Sequence, residues 1–196
     1  MFIFIAITEY KFLDNNDLQH FLTIEQDIDF LLFRTSMSQK ELQHFIQQLI
    51  YQGFPKSKMM IHSDVKLLNT LGLQNIHFRE NDAQAFQLKS KYPDIHVSMS
   101  THHLSSVIRA YEAGLDAVFF GHIFPTPSKP NLPPRSQVEI DSVLEVPIPV
   151  YAIGGITTDT IRKLSPKFAG ICAISFFMKS SASVIHQFRK EWHHHA

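Results

Sequence analysis

The stretch IHVSMSTHHLSSVIRAYEAGLDAVFFG, residues 95–121, reads as strand, helix, strand without interruption. Ile95 to Ser100 is a short extended run, and Leu104 to Ala113 has apolar residues at helical spacing. Gly114 then closes the helix, where a left-handed residue is free of steric penalty only for glycine. A second apolar run, Ala117 to Gly121, follows at once.

The same rhythm extends in both directions. Further strands are expected at Phe2 to Thr8, Phe30 to Arg34, Lys58 to His62, Asn75 to Arg79, Val150 to Ile153 and Gly170 to Ser175. Amphipathic stretches lie between most of them. Gln39 to Gln52 places Leu42, Phe45, Ile46, Leu49 and Ile50 on one stripe, and Ser181 to Trp192 behaves alike. Gly53 and Gly72 stand at further helix ends. Eight strand and helix pairs with no Gly- or Ser-rich linker predict an α/β fold, a compact single-domain (β/α)8 TIM barrel over residues 1–192. A doubly wound open sheet would show fewer strands and a Gly-rich first turn, yet Thr8 to Tyr10 holds no glycine.

Composition agrees with one globular domain: 196 residues, 44% hydrophobic and 18% charged. Lys plus Arg, 18, balances Asp plus Glu, 18, so no global field draws the chain to nucleic acid or to an anionic membrane. Cys172 is the only cysteine, which excludes an internal disulfide and suits a cytoplasmic location; its apolar strand marks it as packing. MFIFIAIT is short, lacks a positive flank and meets Glu9 and Lys11, so it reads as a strand rather than a signal peptide. No run approaches the roughly 18 apolar residues of a membrane span. Residues 193–196 are expected to be a tail outside the site, and a homo-oligomer is compatible with a barrel of this size.

In a parallel barrel, function gathers at the C-terminal strand ends. Arg34, His62, Arg79, Ser100, His102, His122, Gly154, Gly155 and Ser175 stand there. AIGGIT (152–157) and AISFF (173–177) predict a phosphate site. Gly154 and Gly155 let backbone amides approach an anion, and a short helix start after the eighth strand would aim further N–H groups at it, with Ile174 and Ser175 as candidate binding residues. Lys129, in the Pro-rich loop, is expected to add charge and to close over the ligand. Arg34 offers a planar fork to a carboxylate or phosphate. Ser100 and His102 are candidates for orienting a substrate carboxylate or a water. His62, His77 and His96 are expected to be core histidines bonded to neighbours.

GHIFPTPSK, together with AIGGIT and AIS, resembles the thiamin phosphate synthase and TenI superfamily of barrels. FLLFR, SMSTHHL and DAVFFGHIF fall in the family's order, so the resemblance covers most of the chain. Synthases resembling this chain carry Asn-Asp after the third strand and Asp after the fourth, which hold Mg²⁺ on a pyrophosphate substrate. Here His62 and Ser63 replace the pair and Asp82 stands at the second place, with Asp64 one position out of register. Where synthases usually have proline after the glycine ending the sixth strand, this chain has His122, as do TenI-like thiazole tautomerases.

The resemblance therefore implies a cofactor-independent isomerase of thiamin biosynthesis that aromatises a carboxythiazole phosphate tautomer. His122 would be its acid and base, and a small phosphorylated thiazole its partner. Imidazole titrates near neutral pH, and the reaction moves only protons, so no metal, nucleotide or redox cofactor is demanded. The alternatives are thiamin phosphate synthase itself and a non-catalytic phosphate-ligand regulator. Ser136, where related loops often have glycine after the arginine that Arg135 matches, keeps the regulator open. A metal hydrolase would need His62, His102 and His122 to converge.

Overall fold

The computed structural model describes residues 2–195, side chains as far as Trp192. Eight parallel strands close into a barrel in sequence order: β1 (Ile3–Ile7), β2 (Phe30–Phe33), β3 (Met59–His62), β4 (Asn75–Phe78), β5 (His96–Thr101), β6 (Ala117–Gly121), β7 (Val150–Ile153) and β8 (Gly170–Ala173). Pairing of Ile3 with Gly170 through Ala6 with Ala173 joins the last strand to the first. Helices α1 (Asn15–Ile24), α2 (Gln39–Tyr51), α3 (Val65–Leu71), α4 (Ala83–Lys91), α5 (Leu104–Glu112), α6 (Gln137–Leu144), α7 (Thr158–Ile161), α8 (Ser175–Lys179) and α9 (Ala182–His195) follow their strands. The predicted (β/α)8 barrel is the fold observed. No described helix is long and apolar enough to cross a membrane.

Local chemistry sets the helix starts. Asp14 with Asp17, Ser38 with Glu41 and Ser136 with Glu139 form reciprocal capping boxes for α1, α2 and α6. Ser136 thus has a structural role in its loop. The expected strand from Gly170 stops at Ala173, because Ile174 already turns into helical conformation (φ −95°, ψ −76°) ahead of α8. The backbone of α9 continues through His195; the side chains of 193–195, and Ala196, lie outside the described residues.

Strand alternation divides the core into two layers. Outward residues such as Val118, Phe120, Ile76 and Val97 pack beneath the helices. Inward residues Ile5, Leu32, Met60, Phe119, Tyr151 and Cys172 fill the cylinder. Burial pushes the Cys172 thiol well up from its ordinary range, so it stays protonated and serves packing. Among the apolar inward residues lie buried Asn75, His77 and Ser98, each hydrogen-bonded. Buried groups of that kind need partners, and these link one strand to the next.

Candidate active site

The C-terminal ends of β5 to β8 and the loop after β6 enclose a cavity of about 620 Å³. Ser100, His102, His122, Lys129, Gly154, Gly155, Ile174 and Ser175 all line it, as expected of the barrel's functional end. Arg34 does not. Its guanidinium lies 5.3 Å from the centroid of the Tyr10 ring, and its main chain is tied to the Thr8 hydroxyl, which accepts from Arg34 N (2.9 Å) and donates to Arg34 O (2.7 Å).

His122 directly follows β6 and is 5% exposed. The chain beyond it keeps pairing with β7: Ile123 N donates to Ile153 O at 2.9 Å and Phe124 N to Gly154 O at 3.1 Å. The closing end of the loop is stapled to the same place. Arg135 N donates to His122 O at 3.0 Å and Arg135 Nε to Gly121 O at 3.1 Å. Leu132 O, from the covering segment, lies 3.2 Å from His122 Nε2. A carbonyl only accepts, so Nε2 carries the hydrogen of this contact. Nδ1 has no hydrogen-bond partner among the described residues.

Gly154 and Gly155 sit at φ 96° and 69°, in the left-handed region. A Cβ on Gly155 would come within 2.6 Å of the Phe124 and Pro125 carbonyl oxygens. Both glycines are therefore required by close approach as well as by backbone angle. Lys129, with Thr126 and Ser128 from the same loop, lines the cavity that the turn also lines. Lys179, at the end of α8, also lines the cavity and lies 3.7 Å from Glu9. No sequence pattern marks Lys179, since its place depends on how far α8 runs.

One polar pair and one three-residue bridge support the β5 side. The Glu80 carboxylate accepts from His102 N and faces His102 Nδ1, both at 2.7 Å. Desolvation alone would raise the Glu80 pKa, but the bonds from Ser106 and from the His102 backbone and ring outweigh it and hold the carboxyl below its ordinary range. His77 is 2% exposed and bridges Ser98 and Ser100, with Nδ1 2.9 Å from Ser98 Oγ and Nε2 2.8 Å from Ser100 Oγ. Sequence reasoning marks His77 as a bonded core histidine and misses Glu80, whose partner lies 22 residues away across a strand pair.

The β3 and β4 ends do not fit the divalent cation implied by the synthase pattern. Both Asp64 oxygens accept from Gln39 Nε2 (2.9 and 2.8 Å), and one also caps Leu67 N at 2.8 Å. Asp82 is turned to Gln84 N at 3.0 Å as the α4 cap. Ser63 stands at φ 56° with its hydroxyl buried and unpartnered among the described residues. Burial, then the charges of Arg79 and Arg34, push the His62 pKa down against the opposing charge of Asp82. The three-histidine metal site is also ruled out by placement. His62 packs 6.1 Å from the His77 ring and His102 is bound to Glu80; no described group of three His, Cys, Asp or Glu is arranged to hold a metal.

The family model described as thiamine monophosphate synthase matches residues 5–177. The thiamine-phosphate synthase of Bacillus velezensis is 32% identical over 103 residues, covering 51% of this chain and 46% of its own. That of Geobacillus thermodenitrificans is 31% identical over 123 residues, covering 59% and 54%. The chain thus spans about half the length of these curated relatives. Thiamine phosphate pyrophosphorylase from Pyrococcus furiosus has the same fold, with TM-score 0.76 at 19% identity over 96% of this chain and 94% of that one. With the match running from β1 into α8, the chain belongs to the thiamine monophosphate synthase family, TMP-TENI.

Proposed function

We propose that the chain is a cofactor-independent thiazole tautomerase acting in thiamin biosynthesis. One observation supports it above the rest. A buried imidazole, His122, lines the same cavity as the Gly154–Gly155 turn, with Nε2 engaged by Leu132 O and Nδ1 buried without a hydrogen-bond partner among the described residues. The substrate would be a phosphorylated thiazole tautomer still bearing hydrogen on the ring carbon that carries its carboxylate. His122 removes that proton, the electron pair moves through the ring, and the imidazolium returns a proton to the exocyclic carbon. The product is the aromatic isomer, with atoms and charge conserved. A positioned general acid and base contributes on the order of a hundredfold or more. The rest of the acceleration comes from holding the phosphate, by the backbone amides of Gly154 and Gly155, the start of α8 and Lys129, so that the ring meets His122 in one orientation.

A second reading, thiamin phosphate synthase, is favoured by the names of the matched relatives and by Asp82, which stands where the family pattern has a carboxylate. Against it count the capped Asp64 and Asp82 carboxylates and Ser63 at the third-strand end. Two assays on the purified chain separate the readings. One follows the absorbance of the aromatic carboxythiazole phosphate forming from its tautomer. The other detects thiamin phosphate made from thiazole phosphate and hydroxymethylpyrimidine pyrophosphate with Mg²⁺. Acceleration in the first, reduced on the order of a hundredfold by His122→Asn, is the expected result. Acceleration in the second alone would establish the synthase, and binding of thiazole phosphate without either reaction a regulator.

A further inference from the structure

We propose that buried His77 is a positioning residue that fixes the Ser100 hydroxyl as a hydrogen-bond donor into the cavity, making the β5 side a seat for a carboxylate. It rests on the tautomerase reading for the identity of the ligand, but its structural half stands on its own.

Ser98 and Ser100 lie two apart on β5, so both face the barrel interior, and Ser98 is in register with His77 on β4. The imidazole bridges them and stacks on Phe119 at 3.9 Å with 23° between planes, which fixes the ring's orientation. Burial, with the neighbouring His62 second, keeps this imidazole neutral. A neutral imidazole has one N–H and one lone pair. One serine must therefore donate to it and the other must receive.

The choice is decided at Ser98, which is wholly buried. Its other acceptors are distant: Ile76 O at 3.4 Å and Met60 Sδ at 3.8 Å. His77 Nδ1, at 2.9 Å, is the acceptor that satisfies the Ser98 hydrogen. The ring hydrogen is then on Nε2 and points to Ser100 Oγ at 2.8 Å. Ser100 receives there, and its own hydrogen is left for the cavity it lines. A hydroxyl held as a donor suits an oxygen that only accepts, such as the carboxylate of the proposed substrate. The opposite ring tautomer would take the Ser100 hydrogen and turn lone pairs toward that carboxylate.

Nitrogen NMR of the imidazole in the ¹⁵N-labelled protein tests the first half: His77 is expected as the Nε2–H tautomer, and an Nδ1–H ring overturns the proposal. Binding tests the second half, with two probes, the aromatic carboxythiazole phosphate and the same thiazole phosphate lacking the carboxylate. Ser100→Ala and His77→Phe should each weaken the first by about tenfold or more and leave the second within about twofold, while His77→Gln, which keeps an N–H for Ser100, retains part of the difference. Equal losses on both probes remove Ser100 from the carboxylate. If the wild-type chain binds neither probe, the tautomerase reading and the carboxylate seat fall together, and the NMR result alone judges the role of His77.

Discussion

A Cβ on Gly154 would lie 2.3 Å from the Cβ of His122 and 2.8 Å from its Cα. The backbone and Cβ of His122 and the glycine turn are therefore in contact on one end of the barrel, and no residue other than glycine leaves room for this histidine. Gly154→Ala meets that overlap and a backbone at φ 96°. It is expected to cost at least about 2 kcal/mol and to displace His122. Chemical denaturation should show the lower stability, and turnover should fall further than in Gly53→Ala, where the added Cβ meets nothing within 4 Å. Equal behaviour of the two variants would separate the glycine from the imidazole.

Glu80→Gln tests the support of His102. Both carboxylate oxygens accept from His102, and an amide keeps only one acceptor. Turnover should fall by on the order of tenfold, with the fold retained. The pH response has a definite sign. The Glu80 carboxyl is held below its ordinary value of 4.5, so its contribution is complete above that value and is lost as pH falls through the lower folded-state pKa. In acid titrations of stability the variant should lose less than the parent between pH 5 and 3.

The barrel and most residues lining the candidate cavity are legible from residue pattern because each is local. β6 and β7 end where apolar runs meet Gly121 and Gly154, and the expected bounds match. Where an apolar run continues past the strand, pattern overshoots: Ile174 and Ser175 look like β8 and open α8 instead. Contacts across the barrel are not legible. Glu80 meets His102 and His77 meets Ser100 through strand register, which spacing along the chain does not encode. Arg34 shows the converse: it stands one residue past the observed end of β2 at Phe33, close to its expected place, yet its guanidinium lies 5.3 Å from the Tyr10 ring centroid and it is not among the cavity-lining residues.

Lys129→Ala should weaken thiazole phosphate by on the order of tenfold, the scale of one charge-assisted bond, and steepen the loss of binding with salt less than the parent does. His122→Asn, by contrast, should leave phosphate affinity near its original value. Isothermal titration at two ionic strengths reads both; an unchanged affinity in Lys129→Ala would make that lysine an ordinary surface charge.

Burial also predicts sensitivity to mild acid. His62, His77 and His96 have their pKa values lowered, in each case chiefly by desolvation. The unfolded chain then binds more protons than the folded one between the lowered values and the ordinary 6.5. Stability is full above pH 6.5 and declines as pH falls toward the folded-state values. Thermal midpoints should drop from pH 7.5 to 5.5, before the carboxylates titrate. A flat profile over that range would contradict the burial of these rings.

The opposite end of the barrel provides the control that separates stability from chemistry. Arg189 on α9 forms a two-pronged pair with Asp29, ahead of β2, at 3.0 and 2.9 Å, and its guanidinium lies 5.0 Å from the Phe4 ring centroid. Asp29 also accepts from Phe4 N at 2.8 Å, so one carboxylate joins β1, β2 and the final helix. Arg189→Ala leaves that largely buried carboxylate without its cation and uncovers the ring. A loss of roughly 1–3 kcal/mol is expected. The N-terminal face of a parallel barrel carries stability rather than catalysis. At temperatures where the variant stays folded, its kcat and KM should therefore equal the parent's; a change in either would mean that α9 acts on the far end of the barrel.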